Sequence, residues 1–191
     1  TNVGSSTGKS KHIYTIYIYI YIKNCAKSLS NLPAENIARG GRVTQSSQFG
    51  DPKLAIDGNQ GSIWGDGICT HTGHDQNPWW RLDLLDTYKI NTVTITNRQD
   101  CCDERLNGAE IRIGNILTND GNNNPRCAVI TSIPAGATQT FECNGMEGRY
   151  VNIVIPGRKE YLTLCELEVN SEPKRKMCCD HHYPSSSYPN L

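Results

Sequence analysis

The sequence has no net charge: 19 lysines and arginines stand against 19 aspartates and glutamates. It therefore lacks the overall basic field that nucleic-acid binding exploits, and no nucleic-acid partner is expected. Long hydrophobic runs are also missing. The run that comes nearest, Ile13 to Ile22, is ten residues long, well short of the about 20 that a membrane-spanning helix needs, so no membrane span is expected. No window carries convincing 3.6-residue periodicity, which argues against a helical domain. Methionine and phenylalanine are scarce, at two each.

Cysteine is not scarce. Nine cysteines in 191 residues point to a disulfide-stapled, secreted, extracellular protein, with metal ligation and free thiols as the alternatives. The odd count leaves at least one cysteine unpaired or intermolecular. The length suits one domain with appendages, large enough to bury a core.

Three segments differ in character. Residues 1–30 form a low-complexity extension whose IYTIYIYIYI run is flanked by Lys9, Lys11 and Lys23. It reads as a targeting-segment remnant, an unpaired strand favoured by alternating Ile and Tyr, or an artefact, and is set aside from the fold. Residues 31–170 alternate apolar and polar positions with a period of two, as in Trp80, Leu82 and Leu84, Val93 and Ile95, Ile111 and Ile113, and Val151, Ile153 and Ile155. Turn signals at Asp57-Gly58, Asn107-Gly108 and Asn144-Gly145 punctuate them. This pattern predicts an all-β domain, an antiparallel β-sandwich or jelly roll of short strands. Residues 171–191 read as a flexible tail. Its Cys178, Cys179, His181 and His182 are soft metal ligands, but they lie within five residues, whereas structural zinc sites draw on two separated pairs.

The most unusual stretch is Arg98-Gln99-Asp100-Cys101-Cys102-Asp103-Glu104-Arg105. Two guanidiniums offer planar forks of N–H donors on either side of an adjacent cysteine pair. Neighbouring Cα atoms sit about 3.8 Å apart, below the roughly 4.4–6.8 Å that disulfides prefer, so a Cys101–Cys102 bond would be strained; adjacent cysteines more often pair with separate partners. If the bond forms, the site is an apolar plate between two arginines, suited to an oxygen-rich ligand with one apolar face, such as a sugar. A solvated loop with weak ion pairs is the competing reading. Asp100, Asp103 and Glu104 could also serve a glycosidase, but flanking arginines would hold them ionised, a poor setting for a general acid.

Upstream lie Gly67-Ile68-Cys69-Thr70-His71 and Asn77-Pro78-Trp79-Trp80-Arg81-Leu82-Asp83. Twenty-six residues separate His71 from Arg98, which opens R-x-D-x-x-x-x-R. With Gly41 to Ser47, Ala55-Ile56-Asp57-Gly58-Asn59 and Leu164-Cys165-Glu166-Leu167-Glu168-Val169, this arrangement resembles the F-type lectins, the fucose-binding fucolectin family, over about Asn36 to Asn170.

The resemblance implies a non-enzymatic, calcium-containing, discoidin-like jelly roll that binds terminal L-fucose of fucosylated glycans, with a role in innate immunity. His71, Arg98 and Arg105 would donate to the sugar's oxygens, Cys101–Cys102 would pack on its ring, Trp64 would approach its methyl, and Asp100 would fix the arginines. Calcium would be held by the carboxylates of Asp57 and Glu166 and the carbonyls of Leu54, Asn59, Ile68 and Cys165. Ile68 replaces the family's usual serine, which implies weaker calcium binding. Cys69 would pair with Cys165 and Cys127 with Cys143, leaving Cys25, Cys178 and Cys179 outside the domain. The segment Phe49 to Leu54 is shorter than its eel counterpart, which puts contacts beyond fucose in doubt. A homo-oligomer, a trimer by resemblance, would multiply weak sites. A discoidin-like adhesion module for phospholipid or protein, using Ile63 and Trp64, is the alternative.

Overall fold

Period-two alternation becomes ten β-strands in the computed structural model, which describes residues 15–20, 23, 35–47 and 49–171. The chain divides into two units, one of Thr1–Pro33 with Pro173–Leu191, the other Ala34–Glu172. In the first, residues 15–20 are helical, which corrects the strand reading of the Ile/Tyr run. Strand propensity is context-dependent, and within a helix Lys23 places its Nζ 4.8 Å from the Tyr19 ring centroid, one turn away. No described helix is long and apolar enough to cross a membrane. Cys25, Cys178, Cys179 and the Cys/His tail cluster lie outside the described residues.

The second unit contains β1 (Arg42–Gln45), β2 (Thr70–His71), β3 (Asp75–Gln76), β4 (Trp79–Thr96), β5 (Glu110–Gly114), β6 (Arg126–Val129), β7 (Thr138–Val154), β8 (Lys159–Glu160), β9 (Thr163–Leu164) and β10 (Glu166–Ser171). Every pairing is antiparallel. The main sheet runs β1-β4-β7-β5-β6, with β10 added to β4. The expected short strands are replaced by two long ones, β4 of 18 residues and β7 of 17. Both pass through interruptions that the sequence pattern renders as breaks. The register shifts between Asp83 and Tyr88 and again between Ile90 and Thr92, and extra residues in one strand of a pair bend it and increase its twist. Asn144-Gly145, with φ of 54° and 73°, is such an interruption inside β7 and does not end a strand.

The early half of β4 thus pairs with β1 and the late half of β7, while its late half pairs with β10 and the early half of β7. The inward residues of both halves, among them Trp80, Leu82, Val93, Ile95, Phe141, Val151, Ile153 and Leu167, form one buried core. This is a β-sandwich. Fully burying a side chain of this size contributes about 1.5–3 kcal/mol. Trp80 shows the polar condition attached to that gain: it is wholly buried, and its indole Nε1–H donates to the Pro52 carbonyl at 3.0 Å.

Disulfides close the frame. Cys127–Cys143 joins β6 to β7, and Cys69–Cys165 ties the approach to β2 to the start of β10. Both pairings agree with the family pattern, and Cys101–Cys102 is bridged as well.

Candidate functional site

The site-bearing loops gather at one end of the sandwich because two buried amides fix them there. Gln45, at the end of β1, donates through Nε2 to the carbonyls of Ser47 (2.9 Å), Gly50 (3.2 Å) and His71 (3.0 Å), and its Oε1 accepts from the Thr70 hydroxyl at 2.9 Å. It welds the Phe49 loop to β2. Asn97, just past β4, donates to the carbonyls of Asp103 (3.0 Å) and Ile133 (2.7 Å) and accepts from Arg98 N at 2.8 Å. It shapes the turn that presents Arg98 through Asp103. Buried amides with satisfied partners specify one loop conformation.

His71 is nearly buried. Its Nδ1 lies 2.8 Å from the Thr72 carbonyl, and a carbonyl only accepts, so Nδ1 carries a proton. Nε2 is buried without a hydrogen-bond partner, and in the neutral ring it offers a lone pair. Nε2 is thus the ring nitrogen left to meet a ligand, as an acceptor in the neutral ring and as a donor in the protonated one. Aromatic rings surround it, with centroids of Trp64 at 5.0 Å, Phe49 at 4.9 Å and Tyr161 at 6.3 Å.

Each arginine is backed by one of those rings and faced by one carboxylate. The Arg98 guanidinium carbon lies 4.9 Å from the Trp64 ring centroid, and Nε and Nη2 both donate to Asp100 at 2.8 Å. Asp100 Oδ1 also accepts from Trp64 N at 3.0 Å. The Arg98 hydrogen bonds hold the Asp100 carboxyl well below the usual carboxylate range, a poor condition for acid catalysis. Arg105 lies 4.7 Å from the Tyr161 ring centroid, and its Nε stands 3.6 Å from Glu160 Oε1. Asp100 therefore fixes Arg98 alone, which corrects the expectation that it fixes both arginines; Glu160 stands beside Arg105. Arg158 Nη2 supports that corner by donating to the carbonyls of Arg105 (2.8 Å) and Asn107 (2.7 Å).

Between the arginines lies the Cys101–Cys102 bridge, Cys102 turning through the left-handed region at φ 62°. Arg105 N donates to its carbonyl at 3.2 Å. The structure thus links His71 to Arg98 through Trp64 and to Arg105 through Tyr161. Phe49, Tyr161 and Glu160 escaped sequence reading. They lie 22 residues before and about 90 after His71, with no motif to mark them; only the aromatic character of Phe49 and Tyr161 hinted at a sugar-facing wall.

A second cluster lies at the proposed calcium ligands. Glu166 is buried; its Oε2 accepts from Gly58 N at 3.2 Å and its Oε1 has no partner. Burial pushes its carboxyl up to about 7, with the charges of Asp57 and Glu168 adding to the rise and Gly58 N and Arg39 opposing it. Asp57 Oδ1 accepts from Asn59 N at 2.8 Å. Gly58 is in the left-handed region (φ 84°), and a Cβ there would collide with the Arg39 guanidinium. No three His, Cys, Asp or Glu side chains cluster as a metal site among the described residues, so any ion here would depend on two carboxylates and several carbonyls. An orphaned buried carboxylate oxygen beside a second carboxylate fits a hard cation that takes oxygen ligands. Ile68 packs its side chain against Gly61, where a Cβ would strike Ile68 Cδ1, and has only its carbonyl to offer.

A family model described as NedA-like, galactose-binding domain matches residues 54–153. Fucolectin-1 of Anguilla japonica is 51% identical over 145 residues, covering 72% of this chain and 81% of the relative. Among solved structures, an F-lectin (fucolectin) from Morone saxatilis (striped bass) serum is 60% identical with a TM-score of 0.71 over 73% of this chain; the match takes in 48% of the bass chain, about half its length. The lectin domain of lectinolysin, solved with the Lewis B antigen, is 30% identical with a TM-score of 0.63, covering 72% of this chain and 97% of that domain.

Proposed function

We propose, from the premise that this chain belongs to the F-type lectin (fucolectin) family, that it binds terminal L-fucose on secreted or cell-surface glycans and catalyses nothing. The single observation that carries this is the convergence of His71, Arg98 and Arg105 around the bridged cysteines and Trp64. A 6-deoxyhexose has a hydroxylated edge and an apolar face. The free N–H groups of both guanidiniums donate to its ring and hydroxyl oxygens, and charged donors give the stronger hydrogen bonds. His71 Nε2, buried without a protein partner, meets a hydroxyl of the sugar. The disulfide plate, Trp64 and Phe49 cover the ring face and methyl, whose burial contributes about 25 cal/mol per Å² of apolar surface.

Asp57 and Glu166, with the carbonyls of Leu54, Asn59, Ile68 and Cys165, are the residues that would hold calcium. A bound calcium ion supplies the positive charge that offsets two neighbouring carboxylates and braces the loops they sit on. The three disulfides among the described residues support an extracellular setting, and recognition of fucosylated microbial or self glycans in innate immunity is the role proposed. A single open site binds weakly, so assembly of several copies, a trimer by family resemblance, would provide the avidity.

Retention on immobilised L-fucose with elution by free fucose tests the assignment. Arg105→Ala is expected to abolish retention while circular dichroism and thermal midpoint stay close to the parent's; retention equal to the parent's would refute the site. One observation favours phospholipid adhesion instead: Phe49, Ile63 and Trp64 are exposed at 70%, 41% and 37%. Phe49 and Trp64 are, however, packed on His71. Sedimentation with phosphatidylserine liposomes that free fucose does not reverse would favour that reading.

A further inference from the structure

A cleft separate from the arginine site opens among the described residues. It has a volume of about 340 Å³ and is lined by Gln76, Asn77, Trp79, Asn119 and Asn122, with Glu110 and Arg112 at its charged wall and Val154 and Pro156 at its apolar one. Nothing in the fucose reading uses it. The strands build it directly. Trp79, Val154 and Glu110 are register partners across β4, β7 and β5, and Arg81, Asn152 and Arg112 form the next row on the same outward face. The loop Thr118–Gly121 closes over that face, held by the Asp120 carbonyl, which accepts from Arg81 Nη1 at 2.9 Å and Asn152 Nδ2 at 2.8 Å. Gly121 must be glycine here: its φ is 87°, and a Cβ would press on the Asn152 amide.

The charges in the cleft are already answered. Glu110 accepts from Arg112 Nε at 2.7 Å and Arg126 Nη1 at 2.8 Å, and Arg112 Nη1 donates to the Asn124 carbonyl at 2.7 Å. Arg81 stands 3.7 Å from Asp120. An ionic ligand would find no unpaired countercharge. The amides are different. Gln76 Nε2 and Gly157 N both donate to Asn77 Oδ1, Asn119 Nδ2 donates to Asn123, and Asn152 donates to Asn122 Oδ1. That leaves Asn77 Nδ2 and Asn122 Nδ2 as donors, and Gln76 Oε1 and Asn119 Oδ1 as acceptors, without protein partners among the described residues.

We propose that this cleft is a second saccharide site, taking a neutral pyranose unit. Paired donors and acceptors match vicinal hydroxyls, each of which both gives and takes a hydrogen bond, and Trp79 with Val154 and Pro156 offers an apolar wall to the ring's C–H face. The volume lies at the small end of the roughly 300–1,000 Å³ typical of ligand sites, suited to one sugar ring. The loop that supplies two amides is already pinned, so little ordering is needed on binding. The cleft also borders the arginine site: Asn77 N donates to the Arg158 carbonyl at 3.0 Å, and Arg158 supports Arg105. One chain would then carry two sugar sites at the same end, the second independent of the first.

The test uses the full chain carrying Arg105→Ala, which silences the fucose site, and follows its amide and indole resonances by NMR. The probes are the methyl glycosides of D-galactose, D-mannose and N-acetyl-D-glucosamine, with N-acetylneuraminic acid as the anionic comparison. The expected result is a saturable shift of the Trp79 indole N–H and the Asn77 and Asn122 side-chain amides with at least one neutral glycoside. Asn122→Ala and, separately, Asn119→Ala should weaken that binding about tenfold, the loss of one or two hydrogen bonds, and in an otherwise unaltered chain should leave fucose retention unchanged. Three results would overturn the proposal: no saturable shift at Trp79 with any neutral glycoside, shifts confined to Trp64 and His71, or a Trp79 response to the anionic sugar alone.

Discussion

Asp100→Asn separates a residue that aims Arg98 from one that holds the ligand. The carboxylate takes two hydrogen bonds from Arg98 at 2.8 Å and one from Trp64 N at 3.0 Å. Asparagine keeps the shape and one acceptor, but its Nδ2 then faces a guanidinium N–H, donor against donor. A hydrogen bond to a charged group is worth about 1.5–3 kcal/mol when well sheltered. Here the side chains are 13% and 30% exposed, and solvent screening cuts the loss to about 1 kcal/mol. Isothermal titration with L-fucose should therefore show affinity falling about fivefold, while the thermal midpoint barely moves, as for surface changes generally. The depressed carboxyl adds a pH condition. A group whose folded pKa lies below its unfolded value contributes stability above the unfolded value and loses it as pH falls through the folded one. Asp100 is thus still ionised well below its ordinary 3.8, and binding lost on mild acidification must come from another group. Parent-like affinity in the variant would show that Asp100 positions nothing. Complete loss with an intact fold would show that it carries the sugar itself.

Three further outcomes follow from the frame. The Glu166 carboxyl is raised from 4.5 to about 7, so in chelated protein the folded state holds this proton more tightly than the unfolded chain. Stability should fall as pH climbs from about 4.5 to about 7 and then level off; differential scanning fluorimetry in EDTA checks this, and a rise over that window would contradict it. Calcium should restore stability at pH 7.5, by about 2.7 kcal/mol at a hundredfold excess over its dissociation constant; an unmoved midpoint would count against the calcium site. Replacing Cys127 and Cys143 by serine opens a loop whose ends lie 16 apart in sequence, which should cost about 3 kcal/mol in chemical denaturation yet leave fucose affinity intact, because the bridge lies between β6 and β7.

Much of the sandwich could be read from alternation, since Trp80, Leu82, Val93, Ile95, Val151 and Ile153 all point inward as their spacing requires. The long strands could not. A bulge resets the period, so Leu84 to Tyr88 and Cys143 to Met146 look like breaks although the ladders resume beyond them. The arginines, His71 and the cysteine pair were legible because the motif places them within 35 residues of one another. Gln45 and Asn97 were not, because an amide that ties three loop backbone groups together looks like any polar residue until the loops are folded together. Tyr161 and Glu160 reach the site only through the short β3–β8 and β2–β9 pairings, which two-residue strands do not announce. The helical turn at residues 15–20 shows the converse failure, where residue preference for strand lost to helix.

The most direct test is a crystal structure of the protein with L-fucose bound. The account predicts one sugar over the Cys101–Cys102 bridge, with His71 Nε2 and the guanidiniums of Arg98 and Arg105 at about 2.7–3.2 Å from its oxygens. Fucose seated anywhere else, or a sugar at this place that leaves both arginines untouched, would contradict it.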